Sequence, residues 1–210
     1  LGMVTLLRIV NAFGTPVIAA YTVAGRLNSF AMIPAMNFSM ALSTFVGQNI
    51  GAQKMERVQK GLISTIKMTV VIALVFTAVA LLFARPIMAV FTDDQVVIQT
   101  GVDYFRIVAS FYLVFSLLAS FSGVFRGAGD TIIPMFTTLL SLWLIRIPAA
   151  YFLSDYLGET GIWWSVPTGW FFGAVFGFYY YLSGRWKRKA VVTHKSGESR
   201  LDKDQEGKKQ

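Results

Sequence analysis

The sequence predicts an all-α integral membrane protein, a six-helix bundle whose first helix is truncated. Hydrophobic residues make up 55% of the 210-residue chain, charged residues only 14%, and mean hydropathy is +0.57. A soluble domain has about a quarter of its residues charged, so most of this surface does not face water. Apolar runs recur at membrane-crossing length, and Lys and Arg gather on alternate links between them.

A helix needs about 20 apolar residues to cross a hydrocarbon core of about 30 Å. Residues 1–12 are apolar from the first position, without an initiator Met, a basic start or a convincing cleavage pattern, so they read as the remnant of a span and not as a signal peptide. The chain is therefore expected to be a fragment. After Phe13-Gly14-Thr15-Pro16, the second span covers about 17–46, with Pro34 as its expected kink. It runs into a small-residue turn, Gly47-Gln48-Asn49-Ile50-Gly51-Ala52, followed by Lys54, Arg57, Lys60 and Lys67. The third span, about 62–84, stops at Arg85-Pro86, and the acidic link Thr92-Asp93-Asp94 leads to a fourth over about 97–125. That span ends in Phe125-Arg126-Gly127-Ala128-Gly129-Asp130-Thr131, where glycines can close one helix, Asp130 or Thr131 can cap the next and Pro134 falls in its first turn. No Gly-Lys-Ser/Thr follows, so a phosphate-binding loop is a poor reading. The fifth span, about 132–153, carries Arg146 and Pro148, and the sixth, about 161–183, is strongly aromatic. Residues 1–184 thus form a transmembrane lobe. Residues 185–210 form a basic tail that reads as disordered.

Charge orients the chain. The tail holds nine Lys/Arg against four Asp/Glu and accounts for most of the net charge of +8. Adding the two turns brings the basic residues on that side to fourteen, against only Arg85 and Arg106 on the other, which also holds Asp93, Asp94, Asp103, Asp155 and Glu159. Under the positive-inside rule the Gly47–Arg57 turn, the Arg126–Thr131 turn and the C-terminus are cytoplasmic. Six crossings alternate consistently with that count. The basic tail of a membrane protein explains the high pI, and nucleic-acid binding is not indicated.

Enzyme chemistry is not expected. The chain has no Cys, its one histidine, His194, lies in the tail, and no Asp or Glu is expected in a span interior. Paired carboxylates, metal ligands and nucleophile–base pairs are therefore lacking. The polar residues in the second span are more informative. Asn28, Met32, Met36, Ser39 and Ser43 follow helical spacing, with Met40 beside them. Such a stripe suits a cavity wall, since Met adapts to varied apolar ligands and Asn and Ser supply hydrogen bonds; it equally suits helix–helix packing. Arg8, Arg26 and Arg146 are placed at membrane depth, where a charge marks pairing or function. Arg146 lies about 22 Å from the basic end of its helix, at 1.5 Å per residue, and is expected to anchor itself towards Asp155 or on carbonyls freed near Pro148. Trp163, Trp164, Tyr179, Tyr180, Tyr181 and Trp186 read as interfacial belts.

Ala19-Ala20-Tyr21…Gly25-Arg26, Pro34 and Val46-Gly47-Gln48-Asn49-Ile50-Gly51-Ala52 followed by Arg57 resemble the multidrug and toxic compound extrusion (MATE) family. So do Phe125-Arg126-Gly127-Ala128-Gly129-Asp130-Thr131, Pro134 and Arg146-Ile147-Pro148, and the likeness covers nearly all of residues 1–184. It implies one lobe, the C-terminal one, of a twelve-helix, two-lobe transporter of the plasma (inner) membrane. Such a protein exports cationic or amphipathic organic compounds in exchange for protons or sodium ions and needs no cofactor. Its partners are the bilayer, small organic cations and the missing N-terminal six-helix lobe. Some relatives carry a coupling carboxylate midway along the fourth span. Here that region reads Ser110-Phe111-Tyr112-Leu113-Val114-Phe115-Ser116 without an acid, so the coupling site is expected in the missing half. Asn28, Met32, Met36 and Ser39 are the cavity-wall candidates, with Tyr112 and Ser116 facing them. Arg146 is expected to fix a network that transport needs. Two further readings stay open: a lipid-linked oligosaccharide or lipid-precursor flippase of the same superfamily, kept alive by Arg26 and Arg146, and a membrane scaffold subunit without transport.

Overall fold

The computed structural model describes residues 2–189. The helices run in order Gly2–Asn11 (α1), Thr15–Gly51 (α2), Met55–Ala89 (α3), Gln95–Ala109 (α4), Tyr112–Gly127 (α5), Ile132–Leu139 (α6), Ile147–Leu157 (α7) and Glu159–Leu182 (α8). A wide π-helical stretch, Leu140–Arg146, joins α6 to α7, and a 3-10 turn, Arg185–Lys189, follows α8. No strand occurs among the described residues.

The helices overrun the spans read from the sequence. α2 has 37 residues and α3 has 35, and α3 passes through Arg85 and the exposed Pro86 to Ala89. Hydropathy marks only the hydrocarbon core, whereas the backbone ladder continues through the charged interface, so 35 residues rise about 52 Å against a core of about 30 Å. Pro34 lies inside the single helix α2. α2, α3 and the stretch Ile132–Leu157 are each long and apolar enough to cross a membrane, and α4 with α5 makes a fourth if the bent pair is one span. The expected sixth span falls on α8, which at 24 residues is long enough but is not as apolar as those four. Its Trp and Tyr side chains combine an apolar body with a polar tip, which lowers the hydropathy of a helix that still packs as apolar.

The fourth span is not one straight helix. α4 and α5 meet at a 50° bend over Ser110 and Phe111. Ser110 Oγ donates back to the Arg106 carbonyl at 2.7 Å, a bond that competes with the helix ladder. Thr77 Oγ1 of α3 donates to the Ala109 carbonyl at 2.7 Å, satisfying an oxygen that the bend releases. Asp103 lies in α4 within the expected fourth span; it pairs with Arg106 at 3.6 Å and accepts from Gln99 at 3.2 Å. The fifth span has its irregularity before Pro148. A proline at 148 leaves the Leu144 carbonyl without its usual donor, and the Ile147 N–H reaches back to the Leu142 carbonyl across a wider turn.

Two apolar clusters hold the lobe, one towards each end. At the acidic end, Val10, Val17, Ala20, Tyr21, Tyr104, Phe105, Ile162 and Trp163 are buried together. Trp163 is fully buried there, stacked on Tyr21 at 5.6 Å and edge-on to Tyr104 at 5.3 Å, so it is a core residue and not a belt residue. At the basic end Leu42, Val46, Val58, Leu62, Phe121, Phe125 and Trp186 pack together. Trp186 stacks on Tyr181 at 5.5 Å, and its indole N–H donates to the Tyr181 carbonyl at 3.0 Å. The beginning of the tail is therefore docked on the bundle, and the boundary expected at residue 184 moves beyond Trp186. Trp164 and Tyr179 are exposed, as a belt requires. The remainder of the tail from residue 190, with His194, lies outside the described residues.

Thr77→Val removes the hydroxyl that donates to the Ala109 carbonyl and is expected to cost about 1 kcal/mol. Thr77→Ser keeps the hydroxyl and should stay close to wild type; thermal unfolding of the detergent-solubilised protein measures both.

Candidate functional site

The two small-residue motifs picked out in the sequence lie against each other. α2 and α5 cross so closely that a Cβ added at Gly123 would stand 2.6 Å from the Ser39 carbonyl oxygen. One added at Gly127 would run into the Ser43 carbonyl and stand 2.7 Å from the Val46 Cβ, and one at Gly47 would meet the Gly127 carbonyl at 3.3 Å. Small residues spaced four apart on both helices, Ser39, Ser43 and Gly47 against Gly123 and Gly127, let the backbones touch, as membrane helix pairs require. Ser39 Oγ fills the seam: it donates to the Ala119 carbonyl and accepts from Arg126 Nη2 at 2.9 Å.

Both helices end in the same device. After α5, the Asp130 N–H reaches the Phe125 carbonyl at 2.8 Å and the Gly129 N–H the Arg126 carbonyl at 3.0 Å, with Gly129 at φ 82°. After α2, the Lys54 N–H reaches the Asn49 carbonyl at 2.8 Å and the Gln53 N–H the Ile50 carbonyl at 2.9 Å, with Gln53 at φ 57°. These are Schellman closures. The turn expected at residues 47–52 thus falls at 52–54: Gly47, Gln48, Asn49 and Gly51 are helical, and Gln53 adopts the left-handed conformation. Asn49 is buried and donates from Nδ2 to the Phe45 carbonyl at 2.8 Å. Asp130 is 1% exposed; Tyr180 of α8 donates to its Oδ2, and its Oδ1 accepts from the Ile133 N–H at 3.4 Å, capping α6. The pair of turns therefore ties α2, α5, α6 and α8 together.

The cavity-wall candidates divide. Asn28, Ser39, Tyr112 and Ser116 are buried inside the lobe, and Met32 is half-buried. Asn28 Nδ2 donates to Met32 Sδ at 3.4 Å and Ser116 Oγ donates to the Tyr112 carbonyl at 3.0 Å. Met32, Tyr112 and Ser116, with Thr69, line an internal cavity of about 10 Å3. That is the space of about one water, far below the roughly 300–1,000 Å3 of an organic ligand pocket. The buried Tyr112 hydroxyl and Asn28 Oδ1 have no hydrogen-bond partner among the described residues. Helix packing thus accounts for the inner residues, and Met36 alone of the candidates is exposed, at 54%.

A second stripe on α2, missed in the sequence, faces outward. Thr22, Arg26, Ser29, Asn37, Thr44 and Gln48 are all exposed and recur at helical spacing, with Met36 and Met40 among them. Arg26 and Arg146 differ in setting: Arg26 is on this outer stripe, whereas Arg146 ends the π stretch, half-buried, with its Nε buried and without a hydrogen-bond partner among the described residues. Among the described residues no three His, Cys, Asp or Glu side chains cluster as metal ligands.

The MatE family model matches residues 1–152. A probable multidrug resistance protein NorM of Thermotoga maritima is 27% identical over 198 residues, covering 91% of this chain and 42% of the relative. The probable multidrug resistance protein YpnP of Bacillus subtilis is 29% identical over 194 residues, covering 92% of this chain and 44% of YpnP. The bent form of the Vibrio cholerae MATE transporter VcmN superposes with a TM-score of 0.82 at 17% identity, covering 91% of this chain and 43% of that one. The chain spans less than half the length of these relatives, and its fold is that of one lobe. It belongs to the MATE family.

Gly127→Ala forces α2 and α5 apart and is expected to destabilise the protein by about 1–3 kcal/mol, the range for overpacking. Gly51→Ala, where an added Cβ meets nothing within 4 Å, should leave the melting temperature unchanged or slightly higher; thermal unfolding of the two variants side by side checks this.

Proposed function

We propose that this chain is one lobe of a secondary active antiporter that exports cationic or amphipathic organic compounds in exchange for protons or sodium ions. The observation that carries the reading is the exposed polar stripe on α2. Arg26, Asn37 and Gln48 along a membrane-length helix are unfavourable against hydrocarbon, where polar groups need partners or water; the Thr22, Ser29 and Thr44 hydroxyls beside them bond back to the Ile18, Gly25 and Met40 carbonyls. Such a face belongs against a second lobe across a wet cavity. Membership in a family of transporters and the multidrug-resistance names of the relatives support the same reading.

The second lobe is the part of the relatives that this chain does not span, and the cavity forms between the two. The inner candidates set the shape of the wall, and the stripe with Met36 and Met40 supplies its surface: flexible thioethers for apolar bodies, amides and hydroxyls for orientation. We place the coupling carboxylate in the second lobe; the acid-free stretch Ser110–Ser116 supports that reading. The protein sits in the plasma (inner) membrane with the two turns and the tail in the cytoplasm, following the Lys/Arg count.

Cells that express the whole transporter should expel ethidium, and dissipating either the proton or the sodium gradient, but not both separately, should stop it. Asn37→Leu combined with Ser29→Ala should cut efflux several-fold at unchanged protein level and melting temperature, because both residues are exposed on the lobe. Efflux unaffected by either gradient, or by the double variant, would refute the reading.

A further inference from the structure

We propose that the groove between α2 and α3 at the basic end binds an anionic phospholipid. The groove measures about 550 Å3 and is lined by Phe38, Ala41, Phe45 and Met68, with Arg57 and Lys60 at its mouth. Its shape, charge and direction each point to the same occupant.

Charge selects the headgroup. Arg57 makes no ion pair among the described residues, and Lys60 meets Glu56 at 2.7 Å with both side chains mostly exposed. Two cations and one carboxylate leave the mouth positive. An organic cation is disfavoured there, so this is not a second cargo cavity. Length selects the tail. From Arg57 to Met68 the helix rises about 16 Å at 1.5 Å per residue, and half a hydrocarbon core is about 15 Å. The groove therefore runs from the headgroup level to the middle of the bilayer, the path of one acyl chain in one leaflet. Direction places it against lipid. Phe38 and Phe45 lie about a third of a turn around α2 from the polar stripe, with Ala41 between. When the stripe faces the second lobe, the groove faces the bilayer.

Its floor is built. A Cβ at Gly61 would come within 2.7 Å of Phe45 Cδ1, so the glycine lets that ring lie flat on α3 and leaves the trough open above it. Basic pockets between membrane helices on the cytoplasmic side are suited to anionic headgroups.

The direction argument rests on the two-lobe reading, but lipid retention is measured without transport, so the two can fail separately. The test is native mass spectrometry of the whole transporter in detergent with phosphatidylglycerol or phosphatidylcholine of identical chains. The wild-type protein should retain phosphatidylglycerol roughly thirtyfold better, the contribution of two basic side chains at an anionic headgroup. R57Q/K60Q should abolish the preference. Ala41→Trp, which fills the groove and keeps the mouth, should lower retention of both lipids, and glycerol 3-phosphate should not compete. An unchanged preference in R57Q/K60Q would overturn the proposal. So would full displacement by glycerol 3-phosphate.

Discussion

The backbone contact between α2 and α5 is the constraint on which the rest of the lobe depends. In a bilayer, lipid tails are as apolar as Leu, so helices associate through close packing and hydrogen bonds instead of water exclusion. Here the packing needs hydrogen or a hydroxyl where other residues have bulk: Gly123 over the Ser39 carbonyl, Gly127 over Ser43 and Val46, Gly47 beneath the Gly127 carbonyl. Arg126 and Ser39 lock the seam from its edge. From the same turn Asp130 reaches α8 through Tyr180 and α6 through the Ile133 N–H. A motif that reads as a loop signature is thus a packing device whose chain reversal follows from the helices it joins.

Fixing α2 against α5 also divides the surface of α2. One side, with Asn28, Ser39 and Val46, is inside the lobe. A second carries Thr22, Arg26, Asn37 and Thr44 outward. A third, with Phe38 and Phe45, opens on α3. One helix therefore serves as core, as polar wall and as one bank of a groove. The small cavity beside Tyr112 and Ser116 lies between the core side and α3, and its size fits a water better than any cargo.

Much of this was legible in the sequence. The all-α class, the order of the long helices and the position of Gly129, Asp130 and Pro134 followed from hydropathy and capping chemistry, because those signals are local. The bend at Ser110 was not, since it depends on Thr77 from another helix. Nor was the correct face of α2. Asn28, Met32, Met36 and Ser39 share helical spacing, but so do Arg26, Ser29, Asn37 and Thr44, and periodicity alone does not say which row is buried. Trp163 and Trp186 were misplaced for a related reason: interfacial aromatics and core aromatics occupy the same ends of spans, and only the rings of Tyr21, Tyr104 and Tyr181 distinguish them.

The most direct measurement is disulfide trapping across the seam. The chain has no cysteine, so a pair introduced into it meets no competing thiol of its own. A Cβ at Gly123 would lie 3.0 Å from Ser39 Oγ, close enough for Ser39→Cys with Gly123→Cys to close a bond once the seam opens slightly to admit that Cβ past the Ser39 carbonyl. After mild oxidation in membranes and then denaturation in SDS, the account predicts that this pair loses maleimide labelling almost completely, whereas Met36→Cys with Gly123→Cys keeps it. Labelling that persists in the first pair, or is lost equally in both, would contradict the contact on which the lobe is built.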